Sequence, residues 1–260
     1  MIVVNTADLS APALCLASLH PLTPAELGIL CTLHRAGTVM PGGSIAADGQ
    51  PLPARFVLSG WAARVRWLED GRRQLVSLLI PGDGIGLTEG PQPLTVCPIV
   101  AITRVDLADA GPVRAGQDDY EATPGLCQAV RVAVALGEAH LINQIVRLGR
   151  QTAYERLAHL FLELRDRLAA VGLADRDSYA MPLTQEMLGD LTGLTPVHVN
   201  RTLQQLRRDG MLDLGGGRLR LLKPRLLVAL ADYRFPEPSR FVSGRGMGAS
   251  ANASSRSAVQ

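Results

Sequence analysis

Along the chain the spacing of apolar residues changes near residue 37 and again near residue 124. Residues 1–36 are mixed in pattern, and Thr23-Pro24-Ala25-Glu26 reads as a helix start, a capping residue followed by proline at the first helical position. Between 37 and 107 the texture becomes short β-like runs separated by turn signals. The clearest pair, 61–68 and 72–80, is joined at Asp70-Gly71, a dipeptide suited to a tight hairpin. Pro81-Gly82-Asp83-Gly84 and Gly90-Pro91-Gln92-Pro93 punctuate the chain beyond this hairpin. Many short strands with glycine and proline turns predict a jelly roll or sandwich.

After Pro124 the period is helical. Cys127, Val130, Val134, Gly137, Leu141, Gln144 and Leu148 recur with the 3-4 alternation of a coiled-coil seam. An ordinary core helix would show the same spacing. The length of the seam, about three heptads, and Gly137, which permits close approach, favour a dimerisation helix. Residues 151–171 form a second helical stretch with Leu157, Leu160, Phe161, Leu164 and Leu168 on one face. Beyond Tyr233 the chain is rich in Pro, Ser, Gly and Ala, so 236–260 is expected to be a disordered tail.

Residues 183–208 carry the most specific pattern. Thr184 suits an N-cap, and Leu183 with Leu188 can form the hydrophobic staple around it. That helix is short and ends at Gly193. The start signals then repeat: Thr195 caps, Pro196 takes the first helical position, and Leu194 staples onto Val199. Two short helices joined by a glycine turn make a helix-turn-helix. On the second helix, Val199, Thr202, Leu203 and Leu206 share the buried side. Val197, Arg201, Gln204 and Arg208 fall opposite, flanked by Asn200 and Gln205, and such a face suits base edges in a major groove. The alternative is the solvated face of a plain helical hairpin. A second hairpin, 211–214 and 218–222 around Gly215-Gly216-Gly217, reads as a wing that brings Arg218 and Arg220 to phosphates.

Composition adds little to this picture. Net charge is only +2. Between 184 and 225, however, seven basic residues (Arg201, Arg207, Arg208, Arg218, Arg220, Lys223, Arg225) face four acidic ones (Glu186, Asp190, Asp209, Asp213), which makes the segment locally +3. Cys15, Cys31, Cys97 and Cys127 lack paired spacing and are expected to be free thiols. No histidine lies between 37 and 107, which argues against a metal-dependent barrel enzyme, and no phosphate loop or nucleophile elbow is present. A protein-interaction module whose helix-turn-helix no longer binds DNA is the remaining non-enzymatic alternative. Met1-Ile2-Val3-Val4-Asn5 shows no basic leader region, and the uncharged stretch 9–25 is broken by Pro12, Pro21 and Pro24. A cytoplasmic protein without membrane contact is expected.

In these features the sequence resembles the Crp/Fnr family of transcription regulators. The resemblance rests on 182–203 (PLTQEMLGDLTGLTPVHVNRTL), with VLSGW at 57–61, DGRRQ at 70–74 and PGD at 81–83. It implies an α+β chain: an N-terminal cyclic-nucleotide-binding-type β-roll (jelly roll), a long dimerisation helix and a C-terminal winged helix-turn-helix. The expected boundaries are a helical lead-in at 1–36, the roll at 37–116, the dimerisation helix at 117–150, the winged helix-turn-helix at 151–235 and the tail at 236–260. The implied DNA-contacting residues are Thr184, Gln185, Thr195, Val197, His198, Asn200, Arg201, Gln204, Arg208 and Arg218; the dimer residues are Val130, Val134, Gly137, Leu141, Gln144 and Leu148. Double-stranded DNA, a second copy of the chain and RNA polymerase are the implied partners. The chain departs from the family where Gly86 is followed by Leu87 instead of an acidic residue, and where Thr95 stands near the position of the phosphate-gripping arginine. Val197 replaces a frequent glutamate, while Arg201 matches the family arginine, and Cys15 and Cys31 are sixteen positions apart instead of closely clustered. The expectation is therefore no cyclic-nucleotide gating, no metal and no cofactor, with a regulator gated by a cyclic nucleotide or another small ligand as the alternative.

Overall fold

The computed structural model describes residues 9–87, 95, 97–117 and 120–236. The turn expected at 90–93, and the expected tail apart from Pro236, lie outside the described residues. Two helices lead in, α1 (Ala11–Leu19) and α2 (Pro24–Cys31). Pro12 does not break α1, because it sits in the first turn, where a missing N–H costs no hydrogen bond. Thr23 and Glu26 form a reciprocal capping box at the start of α2.

Eight strands come next: β1 (Arg35–Val39), β2 (Ser44–Ala46), β3 (Arg55–Ser59), β4 (Ala62–Trp67), β5 (Arg73–Leu79), β6 (Gly84–Ile85), β7 (Ile99–Ala101) and β8 (Val105–Asp109). They make two antiparallel four-stranded sheets, ordered β1-β8-β3-β6 and β2-β7-β4-β5. Val57, Ile85, Val105 and Leu107 of the first sheet meet Ala62, Leu79, Ile99 and Ala101 of the second in one buried cluster. The expected hairpin is β4–β5, with Arg64 opposite Ser77 and Trp67 opposite Arg73, closed where Leu68 N–H donates to the Arg72 carbonyl at 2.8 Å. Strand alternation splits β4 between two cores. Ala62 faces the roll interior, while Ala63 and Val65 face a different cluster that continues into the C-terminal half.

A short helix that the sequence pattern does not announce, α3 (Gly111–Ala115), precedes the 27-residue α4 (Pro124–Arg150). The carboxylate of Glu26 accepts Leu126 N–H at 2.8 Å, so one side chain serves the N-termini of both α2 and α4. Burial would raise the pKa of this carboxyl, but the backbone and hydroxyl donors around it hold it below the usual range.

The expected dimer seam needs correction on α4. Val130 is buried against Leu16, Leu30, Phe56 and Leu126 within the protomer. Gln144 is also buried, and its amide donates to the Leu191 carbonyl at 2.6 Å. Leu148 is half-buried, with a methyl lying against Gly193. Val134, Gly137 and Leu141 are exposed, together with Ile142, Ile145 and Val146, so the open apolar stripe is rotated from the 3-4 seam. By length and composition alone α4 is long and apolar enough to cross a bilayer, which the uncharged stretch 9–25 was not. Its buried face nevertheless carries Gln144 and Arg147, and the rest of its apolarity is divided between the roll and the outer stripe.

The C-terminal half comprises α5 (Ala153–Ala169), β9 (Ala174–Asp175), β10 (Ser178–Ala180), α6 (Gln185–Thr192), α7 (Pro196–Arg208), β11 (Leu212–Gly215), β12 (Arg218–Leu221) and α8 (Pro224–Leu230). Thr152 and Glu155 cap α5 with a second reciprocal box. The largest core joins Trp61, Val65, Leu75 and Leu78 of the roll to Leu157, Phe161 and Leu164 of α5 and to Leu188, Leu191, Val199, Leu203 and Leu206 of α6 and α7.

Candidate nucleic-acid interface

Local signals at α6 and α7 are met as the sequence predicts. Thr184 accepts Met187 N–H at 3.2 Å, Thr195 accepts His198 N–H at 3.2 Å, and Gly193 takes φ of 67° at the end of α6. Gly189 allows the two helices to approach: a Cβ there would lie 2.5 Å from the Leu194 carbonyl oxygen. On α7, Val199, Thr202, Leu203 and Leu206 are buried. Thr195, Val197 (80% exposed), Asn200, Arg201, Gln204 and Arg208 face solvent, and His198 is half-buried. Thr184 and Gln185 are exposed at the opening of α6.

The wing is the hairpin β11–β12, in a sheet ordered β11-β12-β10-β9. Gly216 and Gly217 take φ of 59° and 72° at its tip, the paired positive angles a tight hairpin turn requires. Arg207 is not on the open face. Its guanidinium donates to the Leu214 carbonyl and ties α7 to the wing. Lys223 donates to the Asp209 carbonyl at 3.0 Å beyond the end of α7. Arg201, Arg208, Arg218 and Arg220 are exposed and make no ion pair among the described residues; Arg218 reaches only the Ser178 hydroxyl at 3.3 Å. A row of unpaired guanidiniums beside amide side chains can neutralise phosphates and read base edges.

Sequence reasoning misses how α6 is held. A helix leaves its last carbonyls without partners. Here those of Asp190, Leu191 and Thr192 accept from Gln74 on β5, Gln144 on α4 at 2.6 Å and Arg156 on α5 at 2.8 Å. Arg73 adds ion pairs to Asp190 at 2.6 Å and Glu186 at 3.1 Å. The roll, the long helix and α5 therefore all grip one end of the helix-turn-helix. DGRRQ at 70–74 marks the roll's part in the sequence, but its partners lie more than a hundred residues away.

Beneath this grip lies a buried charge cluster. Arg147 of α4 pairs with Glu163 of α5 at 2.9 Å and donates to Gln144 at 3.1 Å. Arg167 pairs with Asp83 at 2.5 Å and donates to the Leu78 carbonyl at 3.1 Å. The Pro81-Gly82-Asp83 turn thus anchors α5. Burial would raise the Glu163 pKa, yet Arg147 and the neighbouring cations hold it well below the carboxylate range. Burial, reinforced by Arg147, pushes His159 down to about 4. Leu87 is buried in the cluster around Phe56, and Thr95 donates its hydroxyl to the Gln50 carbonyl at 3.0 Å. No group of three His, Cys, Asp or Glu side chains is placed to share a metal among the described residues.

The family model of the Crp-like helix-turn-helix domain matches residues 155–230. The chain is 32% identical over 176 residues to the nitrogen fixation regulation protein FixK of Bradyrhizobium diazoefficiens, covering 67% of this chain and 72% of that one. It is 33% identical over 166 residues to the transcriptional activator protein FnrL of Cereibacter sphaeroides, covering 62% and 65%. The solved structure of FixK2 from Bradyrhizobium japonicum superimposes with a TM-score of 0.64 at 26% identity, over 76% of this chain and 98% of that one. A regulator of the CRP family from Thermus thermophilus shares the fold, with a TM-score of 0.56 at 21% identity. With its roll, long helix and winged helix-turn-helix, the chain belongs to the Crp/Fnr family and is a DNA-binding transcription regulator of that type.

Proposed function

We propose that the regulator works as a homodimer, in which α7 of each copy enters one major groove of a palindromic operator. The observation that carries this reading is the outer face of α4. Val134, Leu141, Ile142, Ile145 (69% exposed) and Val146 form an apolar stripe around Gly137, and water is a poor partner for it. Covering that stripe with a second copy would set two recognition helices apart by a fixed spacing. Arg201, Asn200, Gln204 and Val197 are the base-reading candidates. Thr184, Gln185, Thr195, His198, Arg208 and Arg218 contact backbone or sugar.

FnrL is named a transcriptional activator, and the same sign of regulation here would require contact with RNA polymerase. Such a regulator operates beside the chromosome, in the cytoplasm. Neither cAMP nor cGMP gates it in this reading, because Leu87 is committed to the core and the Thr95 hydroxyl to Gln50. Selecting bound sequences from a random duplex pool tests the proposal. An inverted repeat with half-sites about one helical turn apart is expected. Recovery of single half-sites or of no consensus would refute it.

A further inference from the structure

Two packed blocks meet along α5 and α6. In the first, Leu126 and Val130 of α4 share a buried cluster with Phe56 of β3, which joins the long helix to the roll. In the second, Gly189 brings α6 against the residues that lead into α7. Leu188 and Leu191 of α6 share their core with Val199, Leu203 and Leu206 of α7, so the direction of α6 sets that of the recognition helix. Between the blocks the chain runs through Gln151 and Thr152, both extended. The apolar core there resists separation, but apolar contact is non-directional and constrains an angle less than a hydrogen bond does. The ion pairs Arg147–Glu163 and Arg167–Asp83 tie α5 to the first block. Attachment along a single helix still leaves the second block able to turn about that helix.

A second line of attachment, on α6, stops that turn. Arg73 at the start of β5 donates from Nε to the Asp190 carboxylate at 2.6 Å and from Nη2 to the Glu186 carboxylate at 3.1 Å. Beside it Gln74 donates to the Asp190 carbonyl, and Gln144 of α4 donates to the Leu191 carbonyl at 2.6 Å. Glu186 and Asp190 are four residues apart on one face of α6, about 6 Å along its axis. The planar fork of one guanidinium meets both, and a two-point contact fixes the direction of a helix as well as its place. Asp190 is half-buried, so its bond to Arg73 is less screened than a surface pair. With both donors spent on α6, Arg73 acts on DNA only through the helix it holds.

We propose that Arg73 is a positioning residue that sets the half-site spacing the regulator accepts: by stopping the turn of α6 about α5, it fixes the distance and angle between the two recognition helices of a dimer. This rests on the dimeric, palindromic reading given above. The test is affinity for duplexes that carry the selected half-sites at the selected spacing, and at one base pair shorter or longer. The unmodified chain should prefer the selected spacing at least about tenfold over either neighbour. Arg73→Met should cut that preference to about threefold or less, while base preference within each half-site, which α7 reads, stays as it was. Arg73→Lys, a charge without the fork, should fall between the two. Asp190→Asn should lose part of the spacing preference, and adding it to Arg73→Met should change the ratio no further. A loss of folded protein would lower affinity for all three duplexes alike, as would a lost phosphate contact, and neither would move their ratio. An unchanged spacing ratio in Arg73→Met therefore overturns the proposal, as does a changed base preference within the half-site. Selection of single half-sites by the unmodified chain would refute the dimer reading and this inference together, whereas an inverted repeat whose spacing tolerance Arg73→Met leaves alone refutes this inference only. If Arg73→Met fails to fold, Asp190→Asn decides, and a spacing ratio unchanged there overturns the proposal.

Discussion

Helices α4 and α5 are consecutive and pack against each other, yet they dispose of their apolar residues in opposite ways. α5 buries nine of its 17 residues, among them Leu157, Leu160, Phe161, Leu164 and Leu168, as a surface helix of a globular protein should. α4 buries seven of 27, and in its second half the buried ones are Gln144 and Arg147 while Leu141, Ile142, Ile145 and Val146 are exposed. That half of α4 is polar inside and apolar outside. Its inner face is satisfied by long-range polar partners, Leu191 on α6 and Glu163 on α5, and its outer face is left exposed by the described residues of the protomer. The contrast teaches that α5 completes a domain, whereas α4 joins domains on one side and leaves an apolar stripe open on the other.

The hardest blow to this arrangement falls where the two helices meet. Glu163→Gln leaves Arg147 buried without a counter-charge and should cost about 3–5 kcal/mol of stability, read as a lower urea midpoint at unchanged m-value. An unchanged midpoint would mean that the pair contributes nothing. The same cluster gives stability a pH dependence. His159 is held neutral, its pKa lowered to about 4 in the fold, so unfolding lets it take up a proton at higher pH. Its contribution is complete above its unfolded pKa of about 6.5 and is lost as pH falls towards the folded value. Glu163 acts in the same direction, since its depressed pKa confers stability that disappears as the pH drops below the unfolded carboxylate range. A midpoint rising on acidification from neutral would contradict both assignments.

The next effect separates the two faces of α4. Ile145→Glu should raise the dimer dissociation constant at least about 100-fold, seen by sedimentation, while the protomer unfolds at an unchanged urea concentration. Val130→Glu should instead unfold the protomer, because Val130 lies in the core against Leu16, Phe56 and Leu126. If Ile145→Glu left the association state as it was, the outer stripe would not be the interface.

Much of the helix-turn-helix was legible in the sequence because its determinants are local. Thr184, Gly193, Thr195 and Pro196 act within four residues of themselves, and burial of Val199, Leu203 and Leu206 comes from helical period alone. Asp70-Gly71 announced the β4–β5 hairpin for the same reason. The register of the α4 seam was not legible. Cys127, Val130 and Gln144 satisfy the heptad spacing, but partners 47 residues away for Gln144, and across the roll for Val130, turn those positions inward. The Pro81-Gly82-Asp83 turn was visible, but its partner Arg167 on α5 was not.

The smallest effects belong to α7, whose open face is polar where that of α4 is apolar. Arg201 is exposed, unpaired among the described residues and within two turns of the Thr195 cap, the part of a recognition helix that enters the groove. Its fork can offer two parallel N–H donors to O6 and N7 of one guanine. Arg201→Ala should cost about 1–3 kcal/mol on the selected operator and relax preference at one base pair. Arg218, beyond the glycine tip of the wing, should behave as a phosphate contact. Arg218→Ala should weaken all sequences alike and lower the salt slope by about one. Neither change touches a buried side chain, so the urea midpoint should hold in both. The discriminating measurement is affinity for operator and for random duplex across a salt series. Equal loss on both DNAs for Arg201→Ala would make Arg201 a backbone anchor and move base reading to Asn200 and Gln204, the other exposed polar groups of that face.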